Sequence, residues 1–261
     1  MKLGIITAPS YEGIHHVAKL GLQAAEFCLN IGVDLDAVWR EVPNIQKAME
    51  ETGVVVGSIG RWGPDRITKD GVLEEELARE ENLIEMCQTL GCPVYVTGCN
   101  FVEGLSFYQN CTFAIAYMER LIQKGKACGV KICTYNCHWN SFLDCDPAWT
   151  MVHGHLPDLG IKFDPSHSFA GGRDYLAEME GWGDRFYHVH LKGSLYVNGK
   201  HVDDPPAGMD QTNWGAFMAL LYQKGYDGVL SLEPHSPNVW KDELGEKGIA
   251  YTVDYFKKLV F

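Results

Sequence analysis

Eight short runs of apolar and β-branched residues alternate with longer amphipathic stretches from one end of the chain to the other. The runs lie at 2–6, 23–27, 53–59, 93–97, 130–135, 160–163, 186–191 and 228–232. Between them, helical spacing places Val38, Ile45 and Met49 on one face of 34–51. In 73–90 the same spacing aligns Leu77, Leu83, Ile84, Met86 and Leu90 behind an acidic first turn, Glu74 to Glu76. Further helices are predicted at 107–128, 146–154, 172–181, 213–224 and 240–259, and Gly53, Gly91, Gly129, Gly160 and Gly228 read as helix stops before strands. Strict strand–helix alternation predicts a parallel sheet. Eight units within 261 residues, with no linker or composition break, predict an α/β fold: one (β/α)8 TIM barrel spanning residues 1–261. A doubly wound sheet fits less well, because Thr7-Ala8-Pro9-Ser10 after the first run is no glycine-rich phosphate turn.

Net charge is −12 and lysines and arginines are nowhere clustered, which argues against a nucleic-acid partner. No stretch approaches the ~20 apolar residues of a membrane span, and the first ten residues lack a signal peptide's apolar core. The nine cysteines are scattered singly without a CxxC pair, which reads as reduced thiols and a cytoplasmic location. Tyr251, Val253, Tyr255 and Phe256 fit either the core or a contact between copies, so homo-oligomerisation is open on sequence grounds.

Three of the runs stop on residues that carry chemistry: Phe163-Asp164-Pro165-Ser166-His167, Tyr187-His188-Val189-His190 and Ser231-Leu232-Glu233-Pro234-His235. At the C-terminal rim of a parallel barrel, where active sites lie, such residues can aim oxygen and imidazole donors at one point and hold a divalent metal. Asp-Pro also begins ordinary turns, and a lone histidine can be a core residue. Glu233 ends a buried-looking strand, where an unpaired carboxylate is costly. Lys192, Glu26 and Trp62 stand at other strand ends as substrate contacts, and Trp62, Trp139 and Phe101 offer an apolar wall for a sugar ring. Asn136 and His138 follow the fifth run and can line the site or cap a loop. The segment 198–210 reads as a lid, and Arg61 and Arg66 as the place for any substrate phosphate. His15, His16, His153 and His155 read as solvent-facing.

The strings FDPSHSFAGGRD, YHVHLK and GVLSLEPH, with GLQAAEF near the start, resemble the xylose-isomerase-like sugar isomerase and epimerase family over the whole chain. That family also holds AP endonucleases, hydroxypyruvate isomerases and inosose dehydratases. The resemblance implies a manganese, magnesium or zinc ion held by Asp164, His190 and Glu233, with His167 as ligand or substrate hydrogen-bonder. It also implies a glutamate after strand five, in a pattern like LALENH, where this chain has Cys133-Thr134-Tyr135-Asn136; Tyr135 takes the glutamate's place.

The expected function is metal-dependent isomerisation or epimerisation of a ketose or related small sugar through an enediolate. Glu233 is the expected base, with His167, His138 or Tyr135 as the second proton-transfer group, and Lys192, Trp62, Asn136, Tyr135, Glu26 and His188 as substrate contacts. A keto-polyol dehydratase of the inosose dehydratase kind and a non-catalytic sugar-binding barrel are the alternatives. An AP endonuclease is disfavoured by the acidic charge.

Overall fold

In the computed structural model, which describes residues 1–261, eight parallel strands close into a barrel. They are β1 (Lys2–Ile6), β2 (Ala24–Cys28), β3 (Val55–Gly60), β4 (Val94–Thr97), β5 (Lys131–Tyr135), β6 (Gly160–Phe163), β7 (Phe186–Leu191) and β8 (Val229–Leu232), paired in chain order with β8 returning to β1. All eight expected runs are strands. The helices are α1 (Tyr11–Lys19), α2 (Leu35–Thr52), α3 (Glu74–Thr89), α4 (Phe107–Cys128), α5 (Ala148–Val152), α6 (Pro165–Ala170), α7 (Tyr175–Trp182), α8 (Trp214–Gln223) and α9 (Asp242–Phe256). No helix is long and apolar enough to cross a membrane.

Two helices escaped the periodicity argument because they are short. The first, α1, buries only Gly13, Ile14 and Val17, and starts where the Ser10 hydroxyl accepts the Gly13 amide. The other, α6, is a short helix opened by Asp164 as cap and Pro165 in its first turn, inside the motif that had read as a turn. Gly53 and Gly129 stop α2 and α4 with φ of 73° and 71°. Gly160 does not stop a helix. It opens β6, and a Cβ there would lie 2.1 Å from the Tyr187 ring, so the position is bare because Tyr187 crosses it. The stop before β8 is Gly225, with φ of 68°, rather than Gly228.

Strand phase decides which residues reach the lumen. On β6, Phe163 points outward and stacks on Phe186, with ring centroids 4.5 Å apart, and on Phe217 of α8. Lys162 and Asp164 therefore face inward. The β6–β7 register shifts between Ile161 and Lys162, so Ile161 pairs with Phe186 but Lys162 with His188, and Tyr187 is the extra residue of a bulge. This bulge lets Phe186 pack outward while His188 and His190 both face the lumen. Val253 and Phe256 are buried in the shell between barrel and helices, which accounts for the apolar stripe of the last helix.

The thiols are all unpaired, as expected, and five of the nine are buried. His153 is fully buried, contrary to expectation. Its Nε2 lies 2.9 Å from the Thr134 hydroxyl and 3.1 Å from the Gly160 carbonyl oxygen, tying α5 to the start of β6. Burial, aided by Arg185, lowers its pKa to about 3. The unfolded chain binds a proton here below its ordinary value near 6.5 and the folded chain does not, so stability falls as pH drops from about 6.5 toward 3. That slope amounts to on the order of 5 kcal/mol in total. Chemical denaturation at several pH values should show His153→Gln less stable at pH 7 by about 1–3 kcal/mol, yet with a shallower loss on acidification.

Candidate metal centre at the barrel mouth

The site is built upward from a buried carboxylate. Glu26, near the end of β2, has no solvent exposure. Its oxygens accept from His188 Nε2 at 2.9 Å and from His190 Nε2 at 2.9 and 3.0 Å. Burial alone would raise the carboxyl pKa, but His190 and His188 hold it well below the ordinary range. The Ser58 hydroxyl sits 3.2 Å from the same His188 nitrogen. Because Glu26 engages His190 through Nε2, the other ring nitrogen, Nδ1, is turned upward, 2.8 Å from Glu233 Oε2 and 3.7 Å from Asp164 Oδ2. Burial disfavours charge on this ring, but Glu26 and then Glu233 outweigh it and raise its pKa to about 10. The opposing effect holds Glu233 at about 2, with His190 the foremost favourable neighbour, then Lys192 and Lys162.

Asp164 divides its oxygens. Oδ1 accepts the Ser166 amide at 2.9 Å and caps α6, while Oδ2 is buried with no hydrogen-bond partner. The backbone of Asp164 is clamped by Asn136, which donates to its carbonyl at 2.9 Å and accepts its amide at 3.0 Å. One helical turn brings His167 back over the aspartate, Nε2 3.5 Å from Oδ2. Burial lowers the His167 pKa to about 4, so the ring is neutral at pH 7. Below them, Lys162 is 2% exposed, with Nζ 3.9 Å from Asp164 Oδ2.

These groups open into a cavity of about 630 Å³ lined by His190, Glu233, His167, Lys162, Lys192 and Trp62, with Trp139, Cys28, Cys137 and His16 at its sides. Trp62 stacks on Tyr135 at 5.2 Å, so the expected aromatic wall exists, but Phe101 is outside it, against Phe142. Several expectations are corrected. His138 has a side chain 68% exposed and pairs with Asp144 at 2.9 Å, away from the cavity. The Tyr135 hydroxyl donates to the Trp139 carbonyl at 2.9 Å behind Trp62, and burial raises its pKa to about 12; it does not stand in for the missing glutamate. Glu26, His188 and Asn136 lie beneath or behind the cavity lining and position His190 and Asp164 instead of reaching a substrate. Arg61 is consumed by Glu76, and Arg66 by Glu80 at 2.7 Å, so neither is available to a phosphate. The expected lid is an ordered hairpin, Leu195–Val197 with Lys200–Asp203, whose end is fastened by Ser236 to Asp203 at 2.7 Å and by His235 to Asp204 at 3.3 Å. His16 is half-buried at the cavity edge, not solvent-facing.

Sequence reading passed over Lys162, although its inward phase follows from Asp164 two residues on. The donor atoms of Asp164, His190 and Glu233 lie within 4.8 Å of one another. Two carboxylates and one imidazole suit manganese, zinc or magnesium, and the buried, partnerless Asp164 Oδ2 is the kind of atom a cation satisfies. The set fits a divalent ion. The neighbouring trio of Glu26, His188 and His190 spends its donors on one another.

A family model described as a xylose isomerase-like TIM barrel matches residues 14–259. The chain belongs to this family. An uncharacterised protein of Bacillus subtilis (strain 168), YfiH, is 28% identical over 174 residues, which are 59% of this chain and 54% of that protein; the match thus spans about half of the relative's length. Among solved structures, the D-psicose 3-epimerase of Clostridium cellulolyticum H10 with D-tagatose superposes with a TM-score of 0.76 at 12% identity, covering 99% of both chains. The IolI protein with a bound zinc atom gives 0.74 at 16% identity, covering 100% of this chain and 98% of that one. At these identities the likeness is one of fold. Within the family architecture, the Glu26–His190 bond is a carboxylate–histidine support of the type that orients metal ligands. Glu26→Gln should weaken divalent-metal binding by about 10–100-fold in calorimetric titration, without removing a ligand.

Proposed function

We propose that this protein is a divalent-metal-dependent isomerase or epimerase acting on a ketose or related small sugar through an enediolate. The observation that supports it most is the convergence of Asp164 Oδ2, His190 Nδ1 and Glu233 Oε2 at the C-terminal end of a barrel of this family. Epimerase relatives of the same fold agree with it. A bound divalent ion supplies the positive charge that polarises a substrate carbonyl and stabilises the enediolate.

The chain's own residues do the rest. Glu233 stands at the end of β8 with its amide bonded to the Leu191 carbonyl, so its carboxylate is fixed to the strand rather than to a mobile loop. It is the base that takes the proton from the carbon beside the carbonyl. His167 is neutral and cavity-facing, so its ring N–H hydrogen-bonds a substrate oxygen from the side of α6, while Glu233 returns the proton it has taken to the enediolate carbon. Neither His138 nor Tyr135 serves, because neither reaches the cavity. Trp62 packs against the sugar ring and Lys192 anchors a substrate oxygen.

Elimination of a β-hydroxyl from a keto-polyol is a second reading, favoured by the cavity's lack of a second carboxylate base opposite Glu233. Mass spectrometry of products separates the two, since a lyase yields a species lighter by one water. Metal content measured by plasma mass spectrometry should fall from about one ion per chain to less than about a tenth in Asp164→Ala, and fall measurably in Glu233→Gln. Deuterium exchange at the substrate α-carbon should drop by about 10²–10⁴-fold in Glu233→Gln. Stoichiometric metal retained by both variants would sink the assignment.

A further inference from the structure

Two lysines inside the barrel mouth are unused by this scheme as counter-ions. Lys162 Nζ makes no hydrogen bond, and its nearest carboxylate, Asp164 Oδ2, stands off at 3.9 Å, whereas a closed lysine–carboxylate pair sits near ~2.8 Å. Lys192, 7% exposed, forms no ion pair at all. Both ammoniums line the cavity that His190 and Glu233 line. Burying an ammonium without a partner is expensive, so a buried, cavity-facing pair of them is a feature that a ligand completes.

The charges of the site indicate which ligand. Counting the donor cluster together with the carboxylate beneath it, three acidic groups, Glu26, Asp164 and Glu233, stand against two ammoniums. A divalent ion at Asp164, His190 and Glu233, displacing the proton that His190 otherwise carries, then leaves one positive charge uncompensated. At the rim Asp204 is taken up by His201 at 2.8 Å and His235 at 3.3 Å and does not line the cavity. The rest of the lining, largely apolar but including Asn30 and His16, adds no carboxylate, lysine or arginine. A neutral ketose leaves that charge in place; a substrate with a single negative charge removes it. A phosphate would overshoot, and the arginines suited to grip it are bound to Glu76 and Glu80.

We propose that the substrate of this site is a small sugar acid, its carboxylate held by the ammoniums of Lys162 and Lys192. The proposal rests on reading this cavity as the substrate site and narrows the substrate from sugars in general to their carboxylates. Lys162 supplies the floor of the subsite and Lys192 its side.

Calorimetric titration of the full chain, saturated with magnesium, tests it with D-gluconate and its neutral counterpart D-glucitol. Gluconate should bind at least about 10-fold tighter than glucitol. Lys162→Met and Lys192→Met should each cut the gluconate-over-glucitol preference by about 10-fold. Circular dichroism checks folding; if the fully buried Lys162→Met does not fold, Lys192→Met, nearer the mouth, decides. Equal binding of the two probes by the native chain overturns the proposal. So does a gluconate preference that survives in every folded variant, which would mean the metal alone captures the carboxylate. Lysine-dependent binding of inorganic phosphate as tight as gluconate overturns the choice of carboxylate. Deuterium exchange of neutral ketoses without any gluconate preference defeats this proposal but spares the isomerase reading. Lysine-dependent gluconate binding with no exchange from any keto sugar acid defeats the isomerase reading and leaves the subsite standing.

Discussion

The contact between Glu26 and His190 is the one on which the rest of the mouth depends. A carboxylate with no solvent exposure in a barrel lumen carries a large desolvation cost, and here two imidazoles offset it. The same bonds fix the His190 ring, commit Nε2 to the floor and leave Nδ1 facing Glu233 and Asp164. Stability and ligand geometry are therefore set by one interaction. Removing the carboxylate would leave the Nε2 atoms of two buried histidines without their carboxylate partner and the His190 ring free to rotate.

Around this axis Asp164 and the loop that carries Trp62 are held by partners outside the cavity. Asn136 grips the backbone of Asp164 with two hydrogen bonds, and α6 takes its other carboxylate oxygen. Trp62 follows the segment where Arg61 binds Glu76 and the Leu29 carbonyl. Arg66 next door is enclosed by Glu80, the Pro64 carbonyl and the Arg61 carbonyl. Such fully bonded buried pairs are costly to break and give the loop after β3 a single conformation. The result is a rigid rim on the side of the aromatic wall, and a hairpin fastened to the β8 exit on the other.

Much of this was legible in the chain. Strand positions follow from apolar runs bounded by breakers, and the ends of three strands carry the convergent donors Asp164, His190 and Glu233 in the order found. What escaped depends on contacts between distant segments. Nothing local distinguishes Arg61 bound to Glu76 from an arginine free to meet a phosphate, and His138 differs from His167 only in where its loop turns. Gly160 looked like a helix stop because glycine so often is one; the reason it is glycine lies 27 positions on, in the Tyr187 ring. His153 is polar and sits in a weakly periodic stretch, so only the packing of α5 against β6 reveals it as core. Tyr135 stands where the resemblance implies a glutamate, and its hydroxyl turns away to the Trp139 carbonyl, which only the fold reveals. Lys162 was passed over because a lysine between Ile161 and Phe163 reads as a strand residue turned to water, which no face of a closed barrel strand offers.

The extra residue in β7 has a consequence for how this protein can change. Phe186 belongs to the outer shell with Phe163 and Phe217, while His188 and His190 belong to the lumen, and only the bulge at Tyr187 reconciles the two sets on one strand. Deleting Tyr187 would leave Phe186, His188, Val189 and His190 in plain alternation opposite Ile161, Lys162 and Phe163, whereas a strand that kept Tyr187 but lost the bulge would carry the imidazoles into the oily shell or the phenyl ring into the lumen. The bulge and Tyr187 are thus linked: the strand can lose both together, but any other single insertion or deletion between Phe186 and His190 would move Phe186 or the histidines off their faces.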